Sequence, residues 1–404
     1  MDFSAIETLT LASLLLMLGY RVRNGVRMLD RLNIPAPVIG GFLMAVLVVI
    51  LGQAHLGAVT FDLVTEQPLM VGFFTSIGFG AGFGVLRHGG PKIILLFAIS
   101  AVAAVLQALL GAGVARIFSL PPLYGVLTGT VTLSGGPATA MAFAPLFEKA
   151  GVHNAATIGI ATAMAGIVIA GMFGSPLATL LIKRDRLAEN RPASSAVPGA
   201  MSGTMERIEA PRAEDARDPV FAALAAIALV LVAMWGGTKL SGAIQSMGIT
   251  LPNYVGAMVV ACALRNLADA TGWFTLPHRA IEIIGVVTLS LFLTMALMSI
   301  DLLSLAGLAL PFFVNLVAQS VMLALLVLWP VYGLLGRDYE AAATSGGFFG
   351  FMMGTTANAM AILRSLVEKY APAPQSFLAV PMVGTFLIDF ANALIITTFL
   401  NLWR

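Results

Sequence analysis

Two apolar runs, Leu123 to Leu133 and Ala140 to Leu146, flank the small-residue stretch Ser134-Gly135-Gly136-Pro137-Ala138-Thr139, and neither run is long enough to cross a bilayer. A spanning helix needs about 20 residues. The pattern fits a re-entrant hairpin, two half-helices meeting at a tip, because unwound backbone at membrane depth is tolerated only where it lines a cavity. The device recurs. Ala138-Thr139-Ala140-Met141-Ala142 is echoed by Ala357-Asn358-Ala359-Met360-Ala361, an offset of 219 between 138 and 357. Leu146-Phe147-Glu148-Lys149 is echoed by Leu366-Val367-Glu368-Lys369, an offset of 220 between 148 and 368. Paired broken helices at corresponding places in two halves point to the substrate site of a transporter.

The rest of the chain belongs in lipid. Of 404 residues, 59% are hydrophobic and 10% charged, against about 25% charged in soluble domains. The fold class is therefore an all-α polytopic membrane protein. Its 41 glycines suit that class, since small residues let membrane helices approach closely. The net charge of +2 does not indicate nucleic-acid binding, because the basic residues sit in short loops. One cysteine, Cys262, excludes an intramolecular disulfide, and His55, His88, His153 and His278 lie too far apart for ligand spacing. No organic cofactor is readable. Asp2 and Glu7 precede the first apolar run and Arg21 and Arg23 follow it, the reverse of a signal peptide.

Apolar segments fall at 5–20, 35–54, 68–86, 92–115, the hairpin 121–148 and 154–182, then at 219–237, 251–264, 281–300, 305–335, the hairpin 341–369 and 376–402. Each half thus holds five spans and one hairpin. Five is odd, so the second half enters the membrane from the opposite face, and the repeats 1–182 and 219–404 are inverted. Ile34-Pro35-Ala36-Pro37-Val38-Ile39-Gly40 against Leu251-Pro252-Asn253-Tyr254-Val255-Gly256 supports the duplication. Between the halves, 183–218 carries seven basic and seven acidic residues with three prolines and reads as a flexible cytoplasmic linker. With both termini outside, eighteen Lys and Arg fall on the inner side, and only Arg116, Lys149, Lys239 and Arg404 fall outside. That matches the positive-inside rule.

At a hairpin tip, half-helix N-termini present unpaired N–H groups and a positive dipole end, a cradle for a carboxylate. Ser134, Gly135, Gly136 and Thr139 supply the first tip; Gly354, Thr355, Thr356 and Asn358 supply the second. Ser345-Gly346-Gly347 either belongs to the second tip or bends its first half-helix. The plainer alternative for all of these is small residues packing two helices. Asp389 lies midway along 376–402, with Asn392 on the same helix face. An ionisable group at that depth costs roughly 2.5 to 3.5 kcal/mol on insertion scales and normally faces a cavity or a cation. The pair offers oxygen ligands to Na⁺, or Asp389 simply hydrogen-bonds a neighbouring helix. At offset 219 its counterpart is Ala170, so the cation site is asymmetric. Arg364 either pairs with a substrate carboxylate, snorkels to the cytoplasmic surface, or pairs with Glu368. Gly78 to Gly84 lacks the strand a dinucleotide loop requires and marks a tightly packed or bent third span. No nucleophile, base and orienter stand together, which argues against an enzyme.

These residues resemble the bacterial sodium/glutamate symporter family over almost the whole chain. The likeness rests on Ile34-Pro35-Ala36-Pro37-Val38-Ile39-Gly40-Gly41, on Thr132-Leu133-Ser134-Gly135-Gly136, on Leu289 to Met298, and on Val380-Pro381-Met382-Val383-Gly384 leading to Asp389 and Asn392. The resemblance implies Na⁺-driven uptake of glutamate across the inner membrane. It also implies ten spans, two re-entrant loops, and a homodimer in which a mobile transport domain slides, elevator-fashion, against a fixed scaffold. Where the family's first tip reads Gly-Gly-x-Gly, this chain has Ala138 after Pro137, a methyl that narrows backbone approach. The alternatives are a carrier for another di- or tricarboxylate, such as citrate, malate or aspartate, and, from a different class, a channel or membrane sensor.

Overall fold

In hydrocarbon every backbone N–H and C=O needs an internal partner, which restricts a chain this apolar to helices. The computed structural model describes residues 2–26, 28–29, 34–54, 59–82, 90–187, 219–247, 251–300 and 309–403. The first half contains α1 (Ala5–Gly25), α2 (Ala36–Gln53), α3 (Glu66–Gly80), α4 (Gly90–Ile117), α5 (Pro122–Val126, opening into a π-turn at Leu127–Val131), α6 (Gly136–Lys149) and α7 (Ala155–Arg184). The second half contains α8 (Pro219–Gln245), α9 (Asn253–Thr271), α10 (His278–Met298), α11 (Ala309–Leu326, continued through Val327–Val331 and Tyr332–Leu334), α12 (Tyr339–Met353), α13 (Thr356–Lys369) and α14 (Pro374–Met382, Val383–Leu387, Ile388–Leu402). A two-residue parallel bridge, Asp2–Phe3 with Thr60–Phe61, ties the N-terminus to the loop before α3, a pairing too short to read in the sequence.

Seven of the described helices are long and apolar enough to cross a membrane, and Ala36–Leu51 is a shorter apolar helix. The protein is thus polytopic and all-helical. The expected span 68–86 is a helix only to Gly80, and residues 83–89 lie outside the described part. The expected span 251–264 runs on to Thr271, because Arg265 and Asp269 pair at 2.8 Å across one turn and Gly272 stops the helix with φ 64°. Of the expected span 305–335, residues 301–308 lie outside the description, and so does the linker beyond Leu187. α14 widens into a π-turn just after Pro381, and α11 has Pro330 inside its own. Proline removes one helical hydrogen bond, and the extra residue of a π-turn relieves the clash.

Packing divides the helices into two sets. α1 packs on α2 and α8 on α9; α2 meets α10, α3 meets α9, and α3 and α10 meet each other. In the other set, α4 packs on α5, α6 on α7, α12 on α7, α13 and α14, and α11 on α4. The sets touch chiefly where α3 meets α14 and α10 meets α6. Both hairpins belong to the second set.

Candidate functional site

The second half-helices of the two hairpins are duplicates in length as well as in sequence. α6 and α13 each have 14 residues, and their starts (136 and 356) and ends (149 and 369) are both 220 apart. Their N-termini meet. A methyl built on Gly136 would lie 3.8 Å from the Gly354 carbonyl oxygen and 3.9 Å from the Thr355 methyl, so the two tips are in contact. Gly136 has φ +68°, a left-handed conformation that favours glycine. Pro137 follows in the first turn, where its missing N–H would be unpaired anyway.

The two tips are held differently. At the second, Thr355 is the N-cap of α13: its Oγ1 accepts from the Asn358 backbone N–H at 3.4 Å and donates to Asn358 Oδ1 at 2.8 Å. Asn358, fully buried, donates from Nδ2 to the Ile167 carbonyl on α7 at 2.9 Å. Thr356 donates to the Gly384 carbonyl, freed in the π-turn of α14, at 2.8 Å. At the first tip no side chain caps α6. Ser134 donates to Gln107 Oε1 on α4, and Gln107 Nε2 donates to the Met352 carbonyl at the end of α12 at 2.9 Å. One buried amide therefore links the two tips.

The first half-helix of hairpin one is broken at Gly129, with φ −109° and ψ −114°. A break frees carbonyls that hydrocarbon cannot satisfy. Each is met by a side chain. The Thr128 carbonyl accepts from Asn315 Nδ2 at 2.9 Å, the Gly129 carbonyl from Thr132 Oγ1 at 3.3 Å, and the Thr130 carbonyl from Asn392 Nδ2 at 3.0 Å. Asn392 also accepts from Thr130 Oγ1 at 2.6 Å. The sequence offers Asn392 to a cation; here each end of its amide makes one bond to Thr130. Asp389, one turn earlier on α14, is half-buried and has no hydrogen bond or ion pair with the protein among the described residues.

The remaining residues singled out from the sequence lie as follows. Gly135 is the N-cap of α6, and Thr139 is buried in its first turn. Ser345, Gly346 and Gly347 are neither tip nor bend. They lie inside the continuous α12, where Ser345 donates to the Ala341 carbonyl and the two glycines admit Ala178 of α7 and Val380 of α14. Packing explains them, since an intact helix leaves no free backbone there to bind anything. Arg364 is exposed, eight residues and so about 12 Å along α13 from Thr356. It lines an open cleft of about 460 Å³ with Arg23 of α1, Ala357 and Glu368. Gly78, at the end of α3, abuts the α9 backbone, as the glycine run suggests. The described residues contain no cluster of His, Cys, Asp or Glu able to hold a metal.

Sequence reasoning passed over Gln107, Asn315, Gln319, Thr128 and Thr130. Their signal was available: single amides (Gln107, Asn315, Gln319) and hydroxyls (Thr128, Thr130) inside apolar spans, the residues that hydrogen-bond between membrane helices.

Helices enough for several crossings, and two hairpins whose broken ends meet at a buried polar centre, define a multi-pass membrane protein built around paired interrupted loops. The chain belongs to the sodium/glutamate symporter family, whose description "Sodium/glutamate symporter" matches it over residues 1–372. It is similar to the sodium/glutamate symporters of Escherichia coli (strain K12) and Shigella flexneri, each 35% identical over 398 residues, 98% of this chain and 97% of theirs. The Haemophilus influenzae sodium/glutamate symporter is 35% identical over 395 residues, 97% of this chain and 96% of its own.

Proposed function

We propose that this chain couples the entry of glutamate to that of Na⁺ across the bacterial inner membrane, as a secondary transporter and not an enzyme. The observation that carries the reading is the contact between Gly136 and Gly354–Thr355, which sets the N-termini of α6 and α13 side by side. Two positive dipole ends at one buried place favour an anion, and the unwound backbone around them offers oxygens to a cation. Asp389 supplies the carboxylate for the coupling ion. The relatives' names supply the substrate and the ion.

The two packing sets support an elevator. α4–α7 and α11–α14 form the moving transport domain, and α1–α3 and α8–α10 the scaffold through which two protomers dimerise. The matched contacts, α2 with α10 and α9 with α3, are those expected of two inverted repeats, 1–182 and 219–404, joined by the cytoplasmic linker 183–218. Both termini are periplasmic on this reading. The cleft beside Arg23 and Arg364 then opens to the cytoplasm and runs along α13 from Ala357, two residues from Thr355. Arg364 serves it by attracting anions to the opening, at a distance from the bound substrate.

The test is uptake of labelled glutamate into proteoliposomes with and without an inward Na⁺ gradient. Stimulation by the gradient is expected, with competition by unlabelled glutamate stronger than by aspartate or citrate. Uptake indifferent to Na⁺ removes the symport reading, and stronger competition by citrate moves the substrate to a tricarboxylate. Asp389→Asn is expected to abolish Na⁺ stimulation.

A further inference from the structure

We infer that Asn315 and Gln319 of α11 form a binding site for a monovalent hard cation against the break in hairpin one, additional to Asp389. The inference rests on the symport reading and names where a Na⁺ sits. Both side chains are almost wholly buried, at 1% and 0% exposure, and the amide oxygen of each, Asn315 Oδ1 and Gln319 Oε1, is buried without a hydrogen-bond donor. Buried polar atoms in native proteins are nearly always satisfied, so two orphans on one short stretch call for a ligand. They stand four residues apart, hence on one face of α11.

The orientation of both amides is fixed by what their nitrogens touch. Asn315 Nδ2 donates to the Thr128 carbonyl at 2.9 Å and to Thr128 Oγ1 at 2.7 Å, and Gln319 Nε2 donates to the Gln107 carbonyl at 2.8 Å. Turning either amide over would set oxygen against a carbonyl oxygen. The orphans are therefore acceptors, which excludes an anion and calls for a cation or a water. Both amides reach the same piece of backbone: Asn315 holds Thr128, and a methyl on Gly129 would lie 3.0 Å from Gln319 Nε2. Oxygens gathered at unwound backbone hold Na⁺ in transporters, and neutral carbonyl oxygens suffice to replace a cation's water shell. The ligand class is thus an alkali cation, held by amide oxygens at the point where hairpin one is broken. Filling the site stiffens that break and so couples the cation to the tip that holds the anion.

The experiment titrates Na⁺, with choline as the ionic-strength control, and reads the half-effect concentration twice: from the melting temperature of purified protein without glutamate, and from uptake in proteoliposomes. For Gln319→Met, the half-effect concentration is expected to rise at least tenfold in both readings, with half-saturating glutamate at saturating Na⁺ changed less than threefold. Gln319→Glu, read at a pH where its carboxyl is neutral, keeps an O–H donor for the Gln107 carbonyl and a C=O oxygen for the cation, so its half-effect concentration should stay within threefold of that of the unaltered protein at the same pH. If Gln319→Met does not fold, Gln319→Glu decides alone, and a weakened Na⁺ response there overturns the site. An unchanged Na⁺ titration in Gln319→Met means the orphans hold water only, and the site is lost while symport stands. Absence of any Na⁺ response in the unaltered protein instead removes the symport reading itself.

Discussion

Hairpin two stabilises itself and hairpin one does not. In the second, α12 and α13 pack along each other, with Gly350 against the Ala359 backbone, and Thr355 caps α13 from within the tip. In the first, α5 and α6 meet only around the break at Leu127–Val131; α5 packs instead on α4 and α6 on α7. Of its freed carbonyls, Thr128 is satisfied from α11, Thr130 from α14 and Gly129 by its own Thr132, and its serine from α4. Two segments of near-identical pattern thus reach the same tip-to-tip geometry by opposite routes. A hairpin that depends on distant helices responds to whatever moves them, and a self-packed one travels as a unit. On the proposed reading, hairpin one is the place where a cation held beside α11 or α14 would act on the tip.

The largest break in this comparison is Gly125→Val. Any side chain at Gly125 runs into the Gly111 backbone of α4, so the substitution should cost about 3 kcal/mol, the upper end of overpacking, and the monodisperse size-exclusion peak should be lost. Asn392→Leu comes next. It strands the buried Thr130 hydroxyl and leaves the Thr130 carbonyl with the Gly135 N–H alone, at about 2 kcal/mol, and should lower the melting temperature measurably while Thr130→Val with Asn392→Leu recovers part of the loss. Gly136→Ala should cost about 1–2 kcal/mol for its left-handed backbone and should raise half-saturating glutamate, because the tip must shift. Thr355→Ala should cost about 1 kcal/mol of helix cap, with Thr355→Ser close to unaltered in thermal denaturation; an unchanged melting temperature in Thr355→Ala would sink the contrast. Smallest is Arg364→Gln: stability unchanged, and a rise in half-saturating glutamate of about threefold that vanishes at high ionic strength, where surface charge is screened.

The hairpins and the pairing of α6 with α13 were legible because lipid imposes a length and a pattern on each segment separately. Gly135, Gly136, Thr355, Thr356 and Asn358 were readable at the tips for the same reason. Ser345-Gly346-Gly347 misled, because small residues that let α12 approach α7 and α14 look, in one dimension, like small residues at a turn. Nothing in the sequence tied Asn392 to Thr130, 262 residues away, which its amide bonds at both ends. What the sequence determined alone was local: which stretches are helical, where they break, and that the breaks come in pairs. Which amide answers which broken carbonyl was decided by tertiary structure, because a freed C=O in hydrocarbon accepts whatever donor the packing of other helices brings within reach, and no spacing along the chain records that.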